Sequence, residues 1–246
     1  MRVLYALFSE KGSREINEDH ISVAENSGHY LFALADGLGG HGGGEIASAL
    51  AVETVKKLWD GRQGFQRAPS LGTLFDAAQG AILSAQQEAH SPNGLKTTLV
   101  LLCIHNSRFC LGYVGDSRLY RFSRRDGSLL FRTEDHSVPQ MLVRLGELDE
   151  NKIRFHEDRN RLLRVLGMEW ETPKYQLFPW DQATPGEAFL LCSDGFWEWV
   201  WEDRMAALLQ QSASPGEWLE RMAEEARNKG DGACMDNLSA IAVWME

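Results

Sequence analysis

Residues 31 to 48, LFALADGLGGHGGGEIAS, decide how the rest of the chain is read. An apolar run from Leu31 to Ala35 ends at Asp36-Gly37. Glycines crowd positions 37, 39, 40, 42, 43 and 44, and an amphipathic run opens at Glu45. The pattern predicts a strand, a tight glycine loop and a helix. A carboxylate at the mouth of a strand is held by a rigid element yet reaches the surface, which suits chemistry. Glycines beside it let a backbone or a ligand come close.

Outward from this stretch, residues 2–9 read as a strand, 11–19 as a charged polar segment, 20–25 as a half-buried strand and 29–35 as the strand leading into Asp36. Ile46, Ala47, Leu50, Ala51, Val55, Leu58 and Trp59 recur at helical spacing. A loop at 61–69 precedes a second helix that carries Leu74, Phe75, Ala78 and Ile82 on one face and ends at Ser91-Pro92-Asn93-Gly94. Runs at 97–104, 108–114, 118–122 and 128–133 are joined by short turns, which favours an antiparallel sheet. Residues 137–167 differ: Val138, Met141, Leu142 and Leu145 suggest a helix ended by Gly146. The charged stretch that follows, with Arg154, Arg159, Arg161 and Arg164, reads as a mobile insertion with a solvated basic face. An edge strand is expected at 173–179. Residues 187–195, EAFLLCSDG, repeat the opening device, with a helix from Phe196. A helix at 215–229 and a strand at 238–245 complete the chain. Trp197, Trp199 and Trp201 read as packing residues. With no repeat or linker, residues 1–246 are expected to form a single domain.

The composition, 43% hydrophobic and 24% charged, is that of a globular protein long enough to bury a large core. A net charge of −10 repels polyanions and argues against nucleic acid. An anionic substrate therefore needs local positive charge from arginine or metal. Cys103, Cys110, Cys192 and Cys234 form no CxxC pair, so free thiols are expected rather than zinc or a redox dithiol. The apolar run Val3 to Phe8 is too short for a signal peptide, and no stretch reaches membrane-span length. The expected setting is the cytoplasm, with no membrane partner.

Asp36, Asp116 and Asp194 each end an apolar strand, and Asp236 starts one. In antiparallel sheets these positions fall on one rim, where Glu18 can join them. Crowded carboxylates cannot all ionise unless cations neutralise them. Hard divalent ions with oxygen ligands, Mg²⁺ or Mn²⁺, suit such a set. Two such ions about 3.5–4 Å apart activate a shared water for attack on phosphorus. Arg14, four residues before Glu18, is the natural fork for a phosphate. These residues point to metal-assisted hydrolysis of a phosphate ester.

The same residues resemble the metal-dependent serine/threonine protein phosphatases (PPM, type 2C), in the form found in bacteria. The resemblance rests on Arg14-Glu15-Ile16-Asn17-Glu18-Asp19, Ala35-Asp36-Gly37-Leu38-Gly39-Gly40-His41, Gly115-Asp116-Ser117-Arg118, Cys192-Ser193-Asp194-Gly195 and Asp236-Asn237, in the family's order and over nearly the whole chain. It implies an α+β fold, a four-layer αββα sandwich of two antiparallel β-sheets flanked by helices. It also implies hydrolysis of phosphoserine and phosphothreonine in proteins, opposite a Ser/Thr kinase, by a chain expected to be a monomer. Asp36 matches the bridging ligand of two Mn²⁺ or Mg²⁺ ions and Gly37 a carbonyl ligand. Asp194 and Asp236 match ligands of one ion, and Glu18 the residue holding the other through water. Asp116 matches a ligand of a third, weaker ion, and Arg14 the phosphate-binding arginine. Residues 137–167 fall where the family has its flap. Animal members carry a histidine directly after the Asp-Gly; here that position is Leu38, His41 reads as a loop histidine, and the general acid is left open.

Three other readings compete. Gly37, Gly39 and Gly42 satisfy the dinucleotide pattern G-x-G-x-x-G, but Asp36 would face a pyrophosphate and the strands do not read as βαβ units. His41-Gly42-Gly43-Gly44 resembles an esterase oxyanion loop, yet no G-x-S-x-G elbow exists. A silent phosphoprotein-binding module should lack a metal carboxylate, and none is missing. A small phosphoester is the remaining alternative substrate.

Overall fold

The computed structural model describes residues 1–26, 28–39, 43–60, 70–91, 94–230 and 234–246. The chain runs β1 (Val3–Glu10), β2 (Asp19–Asn26), β3 (His29–Leu38), α1 (Gly43–Asp60), α2 (Leu71–Glu88), β4 (Lys96–Thr97), β5 (Leu99–His105), β6 (Arg108–Val114), β7 (Arg118–Ser123) and β8 (Leu129–Arg132). It continues through α3 (Val138–Arg144), a 3-10 turn (Glu150–Phe155), β9 (Gln176–Gln182), β10 (Glu187–Cys192), α4 (Asp194–Trp197), α5 (Glu202–Gln210), α6 (Pro215–Lys229) and β11 (Leu238–Met245). One antiparallel sheet has the order β1-β11-β10-β7-β8 and the other β2-β3-β5-β6-β9, with β4 pairing the far end of β3.

The central strands bury both faces, which is why they read as continuous apolar runs. In β3, Phe32 and Leu34 point between the sheets, while Leu31, Ala33 and Ala35 point at α1 and α2. In β11, Ile241 and Val243 fill the inter-sheet core, while Ala240, Ala242 and Trp244 meet α5 and α6. The period of two thus produces three stacked cores and the expected αββα layers. Helix starts follow their sequence signals: Ser70 and Ser214 accept from the Thr73 and Glu217 amides at 3.2 and 3.1 Å.

Several expectations need correction. β3 does not stop at Asp36 but runs on to Leu38, because β4 pairs with Gly37 and Leu38. The helix at Asp194 is only four residues long, and a separate helix, α5, follows it. Residues 137–167 are built into the fold by bridges Thr97↔Leu166 and Ser137↔Leu162 and by the buried Ile153 and Arg154. Arg154 is no part of a solvated face: it donates to the Trp197 carbonyl (3.0 Å) and to Glu202 (2.8 Å). The glycine loop at 40–42, with His41, and the loop at 61–69 lie outside the described residues. The cysteines are free thiols, buried at 103, 110 and 192 and exposed at 234.

Candidate metal centre

Asp36 lies on β3 directly across from Asp19 on β2. Its main chain is clamped from β4–β5: its N–H donates to Thr98 Oγ1 (2.9 Å), and its carbonyl accepts from Thr98 N (2.9 Å) and Thr97 Oγ1 (2.8 Å). The next amide, Gly37 N–H, donates to the Glu18 carbonyl (3.1 Å). A Cβ on Gly37 would collide with the Gly44 backbone, and one on Gly44 would stand 2.7 Å from a Glu18 carboxylate oxygen. These two glycines let the first turn of α1 lie directly on Gly37 and Glu18.

Asp116 sits in the β6–β7 turn, behind Gly115 in a left-handed conformation (φ +105°) that favours glycine. His136 grips Gly115 from both sides: Nδ1 accepts from Gly115 N–H (3.2 Å), and its own N–H donates to the Gly115 carbonyl (2.9 Å). Trp197 Nε1 donates to the Asp116 carbonyl (3.0 Å). The Trp197 ring lies 3.4 Å from the guanidinium carbon of Arg118, which is buried and bonded at both Nε and Nη2 to Asp135.

Asp194 opens α4 just after β10 of the other sheet, and Asp236 lies just before its β11. Gly195 packs so closely on Asn237 that a Cβ would strike the Asn237 carbonyl. Ser193 joins the sheets by donating to Asp19 Oδ2 (2.8 Å). Asn237 ties down the 11–18 segment: its Oδ1 accepts from Glu18 N–H (2.8 Å), and its Nδ2 donates to the Lys11 and Ile16 carbonyls (2.9 and 3.0 Å). Arg14 Nη2 donates to Asp236 Oδ2 at 2.6 Å, with half of the Arg14 side chain open to solvent.

The electrostatics follow from this crowding. Asp36 and Asp194 are partly open at the cleft but surrounded by dense protein. Burial, then the carboxylates of Asp19, Asp194, Asp116 and Asp236, hold Asp36 well above the ordinary carboxylate range. Asp116 is raised by burial, Asp194 and Asp135. Asp19 is pushed up to about 7 by burial and then by Asp194 and Asp236, against hydrogen bonds from Ser193 and Ser239. Burial and Asp236 bring Asp194 to about 6. Glu18 is raised by burial, with Arg14 opposing. Asp19 Oδ1 is buried with no hydrogen-bond partner among the described residues. Among the same residues, no group of three or more His, Cys, Asp or Glu side chains is arranged so that it could hold a metal ion. The donor set nevertheless fits hard divalent cations: oxygen ligands only, several destabilised by each other's charge, one with an orphaned oxygen.

The sequence profile of the protein phosphatase 2C family matches residues 9–240. The chain belongs to the protein phosphatase 2C family. It is accordingly a metal-dependent serine/threonine protein phosphatase. It is similar to the serine/threonine phosphatase stp of Listeria welshimeri, 31% identical over 94% of this chain and 90% of that one. The crystal structure of the Mycobacterium tuberculosis serine/threonine phosphatase PstP/Ppp superimposes with a TM-score of 0.83 at 31% identity, covering 99% of both chains. The catalytic domain of PstP in complex with two manganese ions matches with a TM-score of 0.81 at 30% identity, again over 99% of each.

Of the residues picked out from the sequence, Asp116, Asp194 and Asp236 act on Asp36, and Asp236 and Arg14 act on Glu18, whose carbonyl holds the Gly37 amide. The dinucleotide alternative fails on topology, since β3 has antiparallel neighbours on both sides. Sequence reading missed Asp19 as a member of the cluster and Asn237 as the clamp of the Arg14–Glu18 segment. Both stand inside quoted motifs. The signal for Asp19 was its place at the start of the strand that pairs with Asp36.

Proposed function

We propose that residues 1–246 form one phosphatase domain, with 137–167 as its flap, that hydrolyses phosphoserine and phosphothreonine in proteins with two Mn²⁺ or Mg²⁺ ions. Asp36, the Gly37 carbonyl, Asp194 and Asp236 would hold the pair together with Glu18 acting through water, and Asp116 would hold a third, weaker ion. The observation that carries this reading is the convergence of Asp36, Asp116 and Asp194, each raised by burial and by its carboxylate neighbours, beside the Arg14–Asp236 pair. When bound, the ions supply a nucleophilic water and positive charge for the phosphoryl oxygens.

The chain's own residues do the rest. The clamped Asp36 peptide and the close Gly37–Gly44 packing keep the Asp36 carboxylate in place without reorganisation. Asp19, opposite Asp36 in the sheet, supplies a buried acceptor with one oxygen that has no hydrogen-bond partner among the described residues. Arg14, exposed and paired with Asp236 through a single Nη2 contact, retains donors for the phosphate and can turn from one anion to the other. The substrate is a phosphoprotein written by a Ser/Thr kinase, and the chain acts on it as a cytoplasmic monomer. Among the described residues no helix is long and apolar enough to cross a membrane.

Hydrolysis of p-nitrophenyl phosphate tests the reading. Turnover is expected with Mn²⁺ or Mg²⁺ and is abolished by excess chelator; full activity in chelator would overturn the metal mechanism.

A further inference from the structure

Beside the metal centre is a cleft of about 470 Å³ that the hydrolytic chemistry does not use. Three aromatic residues share its walls with Arg154, Arg159, Glu198 and Lys229. Phe155 comes from the 3-10 turn of the 137–167 segment, and Trp199 and Trp201 follow α4. Phe155 is 73% exposed, the highest value among the exposed large hydrophobic residues described. Its ring stands 6.2 Å from that of Trp201. Trp199 and Trp201 beside it are half-buried, so Phe155 is the aromatic that projects furthest into solvent.

The cleft is built rigidly. Its floor is Arg154, whose guanidinium carbon lies 4.6 Å from the Trp201 ring and is fixed by Glu202 and the Trp197 carbonyl. At its inner end stands Glu198, whose N–H donates to the Asp194 carbonyl (2.9 Å) and whose carboxylate binds Arg159 of the 137–167 segment (3.0 Å). The cleft therefore begins one helical turn, about 5 Å, from Asp194. An extended peptide covers that distance in about two residues. A phosphoresidue at the carboxylates therefore brings its own flanking residues to the Glu198 end of the cleft.

We infer that this cleft is a substrate subsite that takes an apolar, preferably aromatic, side chain lying one to three residues from the phosphorylated residue. The inference rests on the phosphoprotein reading above and adds a sequence preference to it. The volume falls in the range of small-ligand pockets, about 300–1,000 Å³, and so leaves room for a large side chain. Continuity with Asp194 through Glu198 names the occupant, because only a chain already held by its phosphate reaches both. The ion pairs at the rim are satisfied internally, so selection comes from apolar contact rather than from charge.

The test uses the Mn²⁺-loaded full chain and phosphothreonine peptides of alanine and serine. Each peptide carries a single Phe at one position from three before to three after the phosphothreonine, and is compared with the Phe-free parent. For the wild type, at least one placement is expected to raise kcat/KM about tenfold, mostly through KM. In Trp201→Ala and in Phe155→Ala that ratio should fall to near one. The ratio is taken within each variant, so a loss of folded protein cancels, and the surface residue Phe155 serves if Trp201→Ala does not fold. A wild type that gains less than twofold at every placement, or variants that keep the gain, would overturn the subsite while leaving the phosphatase reading intact. Turnover of aryl phosphate but of no phosphopeptide would overturn both.

Discussion

His136 is a buried imidazole that stays neutral, and acid should expose its role in holding the Asp116 turn. Burial, with Arg164 and Arg144 nearby, lowers its pKa from 6.5 to about 4, with Asp135 opposing. The ring stacks on Tyr113 with centroids 4.7 Å apart. Nδ1 accepts from Gly115 N–H, so protonation there sets one N–H against another. A depressed folded-state pKa means that the stability is complete above pH 6.5. It is lost as pH falls towards about 4, because only the unfolded chain takes up the proton in that window. The loss attributable to this group is about 3 kcal/mol. His136→Asn places an amide oxygen where Nδ1 accepts and cannot titrate. It gives up the ring stacking, about 1 kcal/mol, at every pH. Urea unfolding in chelator from pH 7.5 to 4.5 measures both chains. The wild type should lead at pH 7.5 and lose most of about 3 kcal/mol relative to the variant by pH 4.5. That corresponds to roughly 1 M in midpoint at an m-value near 3 kcal/mol/M. A difference that stays constant across this range would refute the assignment.

Asp36→Asn and Asp194→Asn should each lower kcat/KM by at least about a hundredfold in saturating Mn²⁺. The metal-free variants should be no less stable than the wild type, since each loses a carboxylate that burial disfavours; near-normal turnover would contradict the site. Arg14→Ala should raise KM about tenfold with a smaller change in kcat, read from initial rates with a phosphopeptide. Asp135→Ala removes both short carboxylate bonds of the buried Arg118, leaving the longer Glu202 contact (3.5 Å), and should cost about 3 kcal/mol, visible as a fall in Tm of roughly 10 °C.

The layers of the fold were legible because β3, β5, β10 and β11 carry long apolar runs, and α1, α2 and α6 carry one apolar face each. Asp36 and Asp194 stood out for the same reason, as carboxylates at the ends of such runs next to glycine. What escaped was whatever depends on a partner distant in sequence. β3 extends past Asp36 only because Lys96–Thr97 pairs with it. Arg154 looks like one of several surface arginines until Trp197 and Glu202 cover it. Trp197 reads as packing, and it is packed, but its indole N–H also fixes the Asp116 carbonyl. Asp19 hid beside Glu18, because adjacent strand residues point to opposite faces and the sequence does not say which face meets Asp36.

These carboxylates make a metal-dependent Ser/Thr phosphatase only if phosphate release follows both the metal and the phosphoresidue. The decisive assay follows release from matched phosphoserine, phosphothreonine and phosphotyrosine peptides, with Mn²⁺ and with excess chelator. The expected result is release from the serine and threonine peptides only, present with Mn²⁺ and absent in chelator. Equal release in chelator, or a preference for phosphotyrosine, would contradict it.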